Sequence, residues 1–307
     1  MVTDPYGRPV KSLRVSVTQR CNLRCFYCHL EGEKPQTNPV EMAPQEIERI
    51  VEVAASFGVE SVKLTGGEPL LRKDIGEIVE RISGVPGIVE VSMTTNGTFL
   101  KGSAAQLREA GLARVNVSLD TLRPETYRMI TGFNLLDAAV SGIKDAVDAG
   151  LSPVKVNMVL MKGINDDQVW EMVDFARRNG LILQLIELES FHGRLEEVYL
   201  RRHLDLSGIE EELERRAVRV VVREVHHRRK YILPEGVEVE VVKPMHNTEF
   251  CKYCNRLRVT SDGRLKPCLF RDDNLVDILG PMRRGASEAD LKELFLEAVR
   301  KRKPYFT

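Results

Sequence analysis

The 307-residue sequence has no surplus of charge: 45 basic residues meet 45 acidic ones. That balance excludes a surface built overall to hold nucleic acid or an anionic membrane, so any anion site has to be local. No apolar run approaches the ~18 residues of a membrane span, and the opening MVTDPYGRPV lacks the apolar core of a secretory signal. Neither membrane nor nucleic acid is therefore expected as a partner, and the expected compartment is the cytoplasm. Low-complexity linkers are absent, and no internal repeat stands out beyond the alternation described below. There is also no spare cysteine. All six fall in two groups, Cys21, Cys25 and Cys28, then Cys251, Cys254 and Cys268, and grouped thiols in a cytosolic chain point to metal rather than to disulfides.

What is present, from residue 13 to 188, is a regular alternation. LRVSVT (13–18), SVKLT (61–65), VEVSMTT (89–95), ARVNVSL (113–119), VKVNMVLM (154–161) and LILQLIEL (181–188) are short and rich in Val, Ile and Leu, as buried strands are. Between them lie five amphipathic stretches, each closing on a glycine fit for a C-terminal cap, with Asp167 placed to open the last. Strand and helix alternating in this way predict an α/β fold with a parallel sheet, either open and doubly wound or closed into a full or partial barrel. Both closures put ligands beyond the carboxyl ends of the strands. The distinctive stretches follow strands: the first cysteine group, then GGEP (66–69), TTNG (94–97) and SLD (118–120). Past residue 192 the sequence becomes charge-rich and predicts a smaller C-terminal domain ending in a charged helix. Its REVHHRRK run (223–230) reads as a solvated basic face, and Trp170 reads as helix packing.

Neither cysteine group completes a tetrahedral zinc site, which takes four protein ligands. Three thiolates suit an iron-sulfur cluster with one iron left open. Zinc remains an alternative at both groups, with His29 as a fourth ligand at the first, and His246 or Asn255 at the second. Arg14, Lys63 and Lys155 stand in or beside strands. Cations pointing into a barrel are costly unless an anion meets them, so the three suggest a phosphate site, with pairing to core carboxylates as the alternative.

The C-x3-C-x2-C spacing, with Tyr27 before the third cysteine, resembles the radical S-adenosylmethionine (SAM) enzymes. Over nearly the whole chain, from LRVSVTQRCNLRCFYC through KLTGGEPLLR, TTNG, RVNVSLD and VKVNMV to CKYCNRLRVTSDGRLKPCL, the sequence resembles the GTP 3′,8-cyclase family of molybdenum cofactor biosynthesis. The resemblance implies a partial (βα)6 TIM-like barrel over residues 1–191 and a smaller cluster-binding domain over 192–307. It implies two 4Fe-4S clusters, one on Cys21, Cys25 and Cys28 that binds SAM, and one on Cys251, Cys254 and Cys268 that binds the guanine of GTP. Gly66, Gly67, Glu68, Thr94, Ser118, Asn157 and Tyr27 would line the SAM site. Arg14, Lys63 and Lys155 would meet the triphosphate, with Arg256 and Arg258 beside the second cluster. No side chain is itself catalytic in this scheme, because the radical comes from cluster and SAM. The product, (8S)-3′,8-cyclo-7,8-dihydroguanosine 5′-triphosphate, would pass to a cyclic pyranopterin phosphate synthase, while the electron donor is left open.

The chain departs from the family's pattern in three places. It ends KRKPYFT rather than in a Gly-Gly tail, and it carries Gln184 and Ser61 where an arginine and a lysine are expected. The last two remove positive charge beside the triphosphate. Two rivals remain on residues alone: another radical SAM enzyme with an auxiliary cluster, acting on a peptide or tetrapyrrole precursor, and a non-catalytic zinc or iron-sulfur binding module.

Overall fold

A computed structural model describes residues 1–37, 41–190 and 195–306. The division expected between residues 191 and 192 lies outside the described residues. The six expected strands all form: β1 (Ser12–Ser16), β2 (Ser61–Thr65), β3 (Glu90–Thr95), β4 (Leu112–Ser118), β5 (Lys155–Leu160) and β6 (Ile182–Glu187). Five of the intervening helices are the expected ones: α1 (Pro44–Ser56), α2 (Ile75–Ser83), α3 (Ala104–Glu109), α5 (Leu136–Asp148) and α6 (Val169–Arg178). A sixth, α4 (Pro124–Thr131), was not anticipated, being too short for its periodicity to stand out. Gly58, Gly111, Gly150 and Gly180 follow four of the expected helices with positive φ, whereas Gly84 closes α2 in the right-handed region. Asp167 does not cap α6. It lies in a 3-10 turn ahead of the helix and pairs with Arg123 at 2.7 Å.

The chain beyond residue 195 adds α7 (Glu196–Arg202), α8 (Ser207–Arg216), β7 (Arg219–Val222), β8 (Arg229–Ile232), β9 (Glu238–Val242), α9 (Thr248–Lys252), β10 (Arg256–Val259), β11 (Arg264–Lys266), β12 (Val276–Asp277), α10 (Leu279–Arg283) and α11 (Glu288–Arg300). Its strands do not form a sheet of their own. They join both edges of the first one, in the order β12-β11-β10-β1-β2-β3-β4-β5-β6-β9-β8-β7. β10 runs parallel to β1 and β9 parallel to β6, so eight consecutive strands are parallel, with antiparallel pairs at either edge. Among the described residues no pairing joins β12 to β7, and the barrel stays partial.

Side chains alternate across each strand with period two. Leu13, Val15, Val62, Leu64, Val115, Val117, Val156 and Met158 face the helices and are buried with Ile47, Ile50, Ile78, Ile82 and Ile143. Arg14, Lys63, Thr94, Asn116, Ser118, Lys155, Asn157 and Gln184 face the other way, into one cavity of about 770 Å³. The inward face is concave enough for side chains to bond past a neighbouring strand. Lys63 Nζ on β2 donates to Asn116 Oδ1 on β4 at 2.8 Å, and Asn116 Nδ2 donates to Gln184 Oε1 on β6 at 2.9 Å. Among the described residues no helix is long and apolar enough to cross a membrane.

Candidate functional site

All six cysteines border this cavity. The first three lie on the loop after β1, and that loop is pinned on several sides. Gly67 N–H donates to Thr18 O and Glu68 N–H to Arg20 O, each at 2.7 Å. A Cβ on Gly67 would stand 2.2 Å from Arg20 O, and one on Gly66 2.3 Å from Thr18 O. The two glycines are thus required by the backbone entering the cysteine loop, not only by a ligand. Asn96 Nδ2 donates to Asn22 Oδ1 (2.8 Å), Arg24 N–H to Thr131 O (2.9 Å), and Phe26 N–H to Ile130 O (3.2 Å). Beneath the loop, Phe26 and Tyr27 pack on Ile130, Met161 and Leu188. The Tyr27 hydroxyl donates to Asp120 Oδ2 at 2.6 Å, and Val159 N–H donates to Asp120 Oδ1 at 2.8 Å. Burial lifts Asp120 to about 6 despite those bonds.

Glu68 is the one expected SAM-site residue that does not border the cavity. It is fully buried, and its carboxylate accepts from Thr95 Oγ1, Asn96 N–H and Leu70 N–H at 2.7, 2.7 and 3.1 Å. It braces the glycine loop against the end of β3. Gly66, Gly67, Thr94, Ser118, Asn157 and Tyr27 do border the cavity.

The second cysteine group gathers from three elements. Cys251 is on α9, Cys254 precedes β10, and Cys268 follows β11. Arg8 donates to Cys251 O (2.9 Å), fully buried Arg302 donates to Cys254 O (2.7 Å), and Phe306 N–H donates to Cys251 Sγ (3.5 Å). Because β10 is parallel to β1 and β11 antiparallel to β10, this group sits at the amino ends of the parallel strands. The first group lies past their carboxyl ends. The second cysteine group is therefore not on the carboxyl side, where the βα pattern alone put ligands.

Three cysteines in each group match the protein ligands of a cluster with one open iron. Among the described residues no three His, Cys, Asp or Glu side chains gather tightly enough to hold one metal ion. Burial, then Asp120 and the other two thiols, push Cys25 well above the ordinary thiol range, and burial likewise raises Cys21. Burial also raises Cys268. At Cys254 burial acts in the same direction, but Arg302, the Arg256 N–H and guanidinium, and Arg8 outweigh it and favour the ligating thiolate.

Between the two groups the wall is cationic. Twelve Arg and Lys border the cavity against six Asp and Glu, in a chain whose total charge is zero. Lys63 pairs with no carboxylate among the described residues; burial first, then Arg114, Arg14, Arg256 and Lys155, force its pKa far down. Arg258 pairs with Glu31 at 2.8 Å and Arg14 lies 3.7 Å from the same carboxylate. Burial, then Arg14 and Arg228, hold Arg256 well below its usual value. Lys155 meets Glu240 at 2.6 Å, the core carboxylate that the alternative reading of this lysine called for, and burial still lowers it to about 8. Ser61 and Gln184 also border the cavity, and Gln184 Nε2 donates to Glu240 Oε2 at 2.6 Å.

The REVHHRRK run is a solvated face only in part, at Glu224, His227 and Arg229. β8 pairs with β9, and the turn before it folds Arg223, His226 and Arg228 onto the cavity wall. His226 is buried and stacks on Phe250 with centroids 3.8 Å apart. Glu240, Asp120 and Glu189 were missed as well. Glu240 alternates with valines in GVEVEVV, which reads as an exposed strand face. Glu189 follows β6, 3.7 Å from His29, and burial lifts it to about 7. Trp170 packs against the core beneath the Arg216 guanidinium, as read.

The sequence profile of the Radical SAM superfamily matches residues 15–176, and that of Molybdenum Cofactor Synthesis C matches residues 181–307. Proteins named "Probable GTP 3′,8-cyclase" from Pyrococcus horikoshii and Thermococcus kodakarensis are 53% and 51% identical to this chain, covering 100% of it and 99% and 100% of themselves. The protein of that name from Methanothermobacter thermautotrophicus is 50% identical over 100% of this chain and 99% of its own. Among solved structures, Streptococcus suis SuiB bound to S-adenosylmethionine is similar with a TM-score of 0.63 at 19% identity, over 85% of this chain and 60% of that one, a likeness of fold alone.

Proposed function

This chain belongs to the GTP 3′,8-cyclase family of the radical SAM superfamily, and we propose that it converts GTP to (8S)-3′,8-cyclo-7,8-dihydroguanosine 5′-triphosphate, the first step of molybdenum cofactor biosynthesis. The observation that carries this reading is that two three-cysteine groups and an excess of cations border one cavity. A neutral peptide substrate gives no reason for that charge, and a binding module gives no reason for the shared cavity; a polycarboxylate tetrapyrrole would also suit the charge, and is disfavoured instead by the 50–53% identity to proteins named GTP 3′,8-cyclase.

Cys21, Cys25 and Cys28 would hold a 4Fe-4S cluster, with SAM lying against Gly66, Gly67, Thr94, Ser118, Asn157 and Tyr27. When bound, cluster and SAM would supply the 5′-deoxyadenosyl radical that takes the 3′ hydrogen of the ribose and leaves as 5′-deoxyadenosine; C3′ would then add across guanine C8=N7, and one electron from the reductant with one proton would complete the 7,8-dihydro product. The chain's own task is to position and enclose. Cys251, Cys254 and Cys268 would hold a second 4Fe-4S cluster that takes the purine, flanked by Arg256 and Arg258. Arg14, Lys63 and Lys155 would take the triphosphate, whose roughly four charges need such donors. The wall then fixes the ribose between the two ends and keeps water from the radical. We assign the SAM half to residues 1–191 and the purine half to 192–307. We place the reaction in the cytoplasm, ahead of a cyclic pyranopterin phosphate synthase.

The test is an anaerobic reaction of iron- and sulfide-reconstituted protein with SAM, a strong reductant and GTP, read by mass spectrometry. GTP-dependent 5′-deoxyadenosine with a cyclised nucleotide of unchanged nominal mass is the expected result; SAM cleavage with unaltered GTP would discard the substrate. Iron and sulfide per chain should fall by about half in both Cys25→Ser and Cys254→Ser, since each removes one cluster. Undiminished iron in Cys254→Ser would remove the second cluster.

A further inference from the structure

The carboxylate of Glu240, fully buried on β9, sits among three cations: Lys155 at 2.6 Å, Arg223 at 3.0 Å and Arg228 at 3.5 Å. One negative charge cannot balance three, and Lys63 and Arg14 add to the excess on the same wall. Of the three cations around Glu240, Arg228 is the least satisfied. Its side chain is only 9% exposed, its Nε has no hydrogen-bond partner, and its contact with Glu240 is long. An Arg fork held this way is oriented yet has donors to spare, which suits bidentate capture of a phosphate.

The turn that carries it is built to stay in place. His226 and His227 both have positive φ, 62° and 47°, a strained conformation for side-chain-bearing residues. The strain is held by stacking of His226 on Phe250 and His227 on Tyr253, and by the bonds His226 N–H to Tyr253 O and Arg223 N–H to Arg228 O. On β6, the strand paired with β9, Gln184 stands in register with Glu240; its amide is occupied by Asn116 and Glu240 and brings no charge.

We propose that Arg228, held by Glu240 and the stacked turn, is a specificity-determining residue for the polyphosphate end of the nucleotide, and supplies in this chain the charge that position 184 does not. This rests on GTP being the substrate. Arg228 fixes how many phosphates the cavity demands, while the purine and ribose are held elsewhere.

The test is equilibrium binding of GTP, GDP and GMP to the reconstituted holoenzyme. Arg228→Ala should weaken GTP by about tenfold or more and GMP by less than about threefold, with GDP in between. Arg228→Lys keeps the charge without the fork and should recover part of the GTP loss; it carries the test alone if the alanine variant does not fold. Equal weakening of GTP and GMP, or no weakening of either, would overturn the assignment. If wild-type protein binds no GTP at all, the cyclase reading falls and the proposal with it, an outcome distinct from a variant that merely fails to discriminate.

Discussion

Replacing Glu240 with Gln changes almost no volume but removes the one negative charge that Lys155, Arg223 and Arg228 share. In the native protein burial works against the ionised carboxyl, yet Lys155, Arg228 and Arg223 outweigh it and hold its pKa far below the usual carboxylate range. An amide cannot repeat its bonds. Glu240 Oε1 accepts from Lys155 and Oε2 from Gln184, so one of these donors would face the amide NH2 instead. Breaking a buried pair by removing one partner costs roughly 3 to 5 kcal/mol, and a chain of this length loses roughly 2 °C of Tm per kcal/mol. The expected drop is thus roughly 6 to 10 °C in a thermal unfolding scan. Because the stranded cations border an open cavity, added tripolyphosphate should raise the Tm of Glu240→Gln more than that of the wild type. A drop below about 2 °C, or equal stabilisation of both proteins by the anion, would refute the argument that this carboxylate restrains an otherwise repulsive cluster.

Two further outcomes follow from the same structure. Burial raises Glu189 from an ordinary 4.5 to about 7, so the folded state binds a proton that the unfolded chain has released; the stability it lends is complete below about pH 4.5 and lost as pH rises to about 7, on the order of 3 kcal/mol in all. Denaturant midpoints across that range should show Glu189→Gln losing this part of the slope, and parallel profiles would contradict it. Gly67→Ala drives a methyl into the Arg20 and Gln19 carbonyls at 2.2 and 2.7 Å and should cost roughly 1 to 3 kcal/mol together with iron from the first cysteine group, whereas Gly76→Ala, with nothing within 4 Å, should be neutral or better; matching Tm and iron content in the two variants would show the loop free to shift.

What could be read from the sequence was what is local. The six strands announce themselves by Val-rich runs, and the inward placement of Arg14, Lys63 and Lys155 follows from period-two alternation within single strands. The cysteine groups were legible because their spacing is chemistry in itself. Pairings between distant segments leave no such trace. Nothing in residues 238–242 or 256–259 says that one strand joins β6 and the other β1. Without those pairings the 223–230 run looks like a solvent face, and Glu240 like the outward side of an edge strand. The bonds of Glu68 were illegible for a related reason: its motif points to a ligand, while its carboxylate is turned inward to donors that include Thr95 and Asn96 at the end of β3.

The two edge pairings also explain why one cavity can serve two cysteine groups. Had residues 238–277 folded as a separate sheet, the second group would sit beside the barrel, and a small substrate would have to travel between them. With β10 seated on β1, Cys254 lies at the amino end of the same strand direction that leads to Cys21. The two groups are then about one strand apart, roughly 17 Å for five residues, which is the scale of an extended nucleotide. The cations lie along that span, on β1, β2 and β5 and on the turn before β8. A substrate bridging both ends must place its negative charge partway between them. A nucleoside triphosphate bent so that its ribose faces one end and its base the other meets that demand.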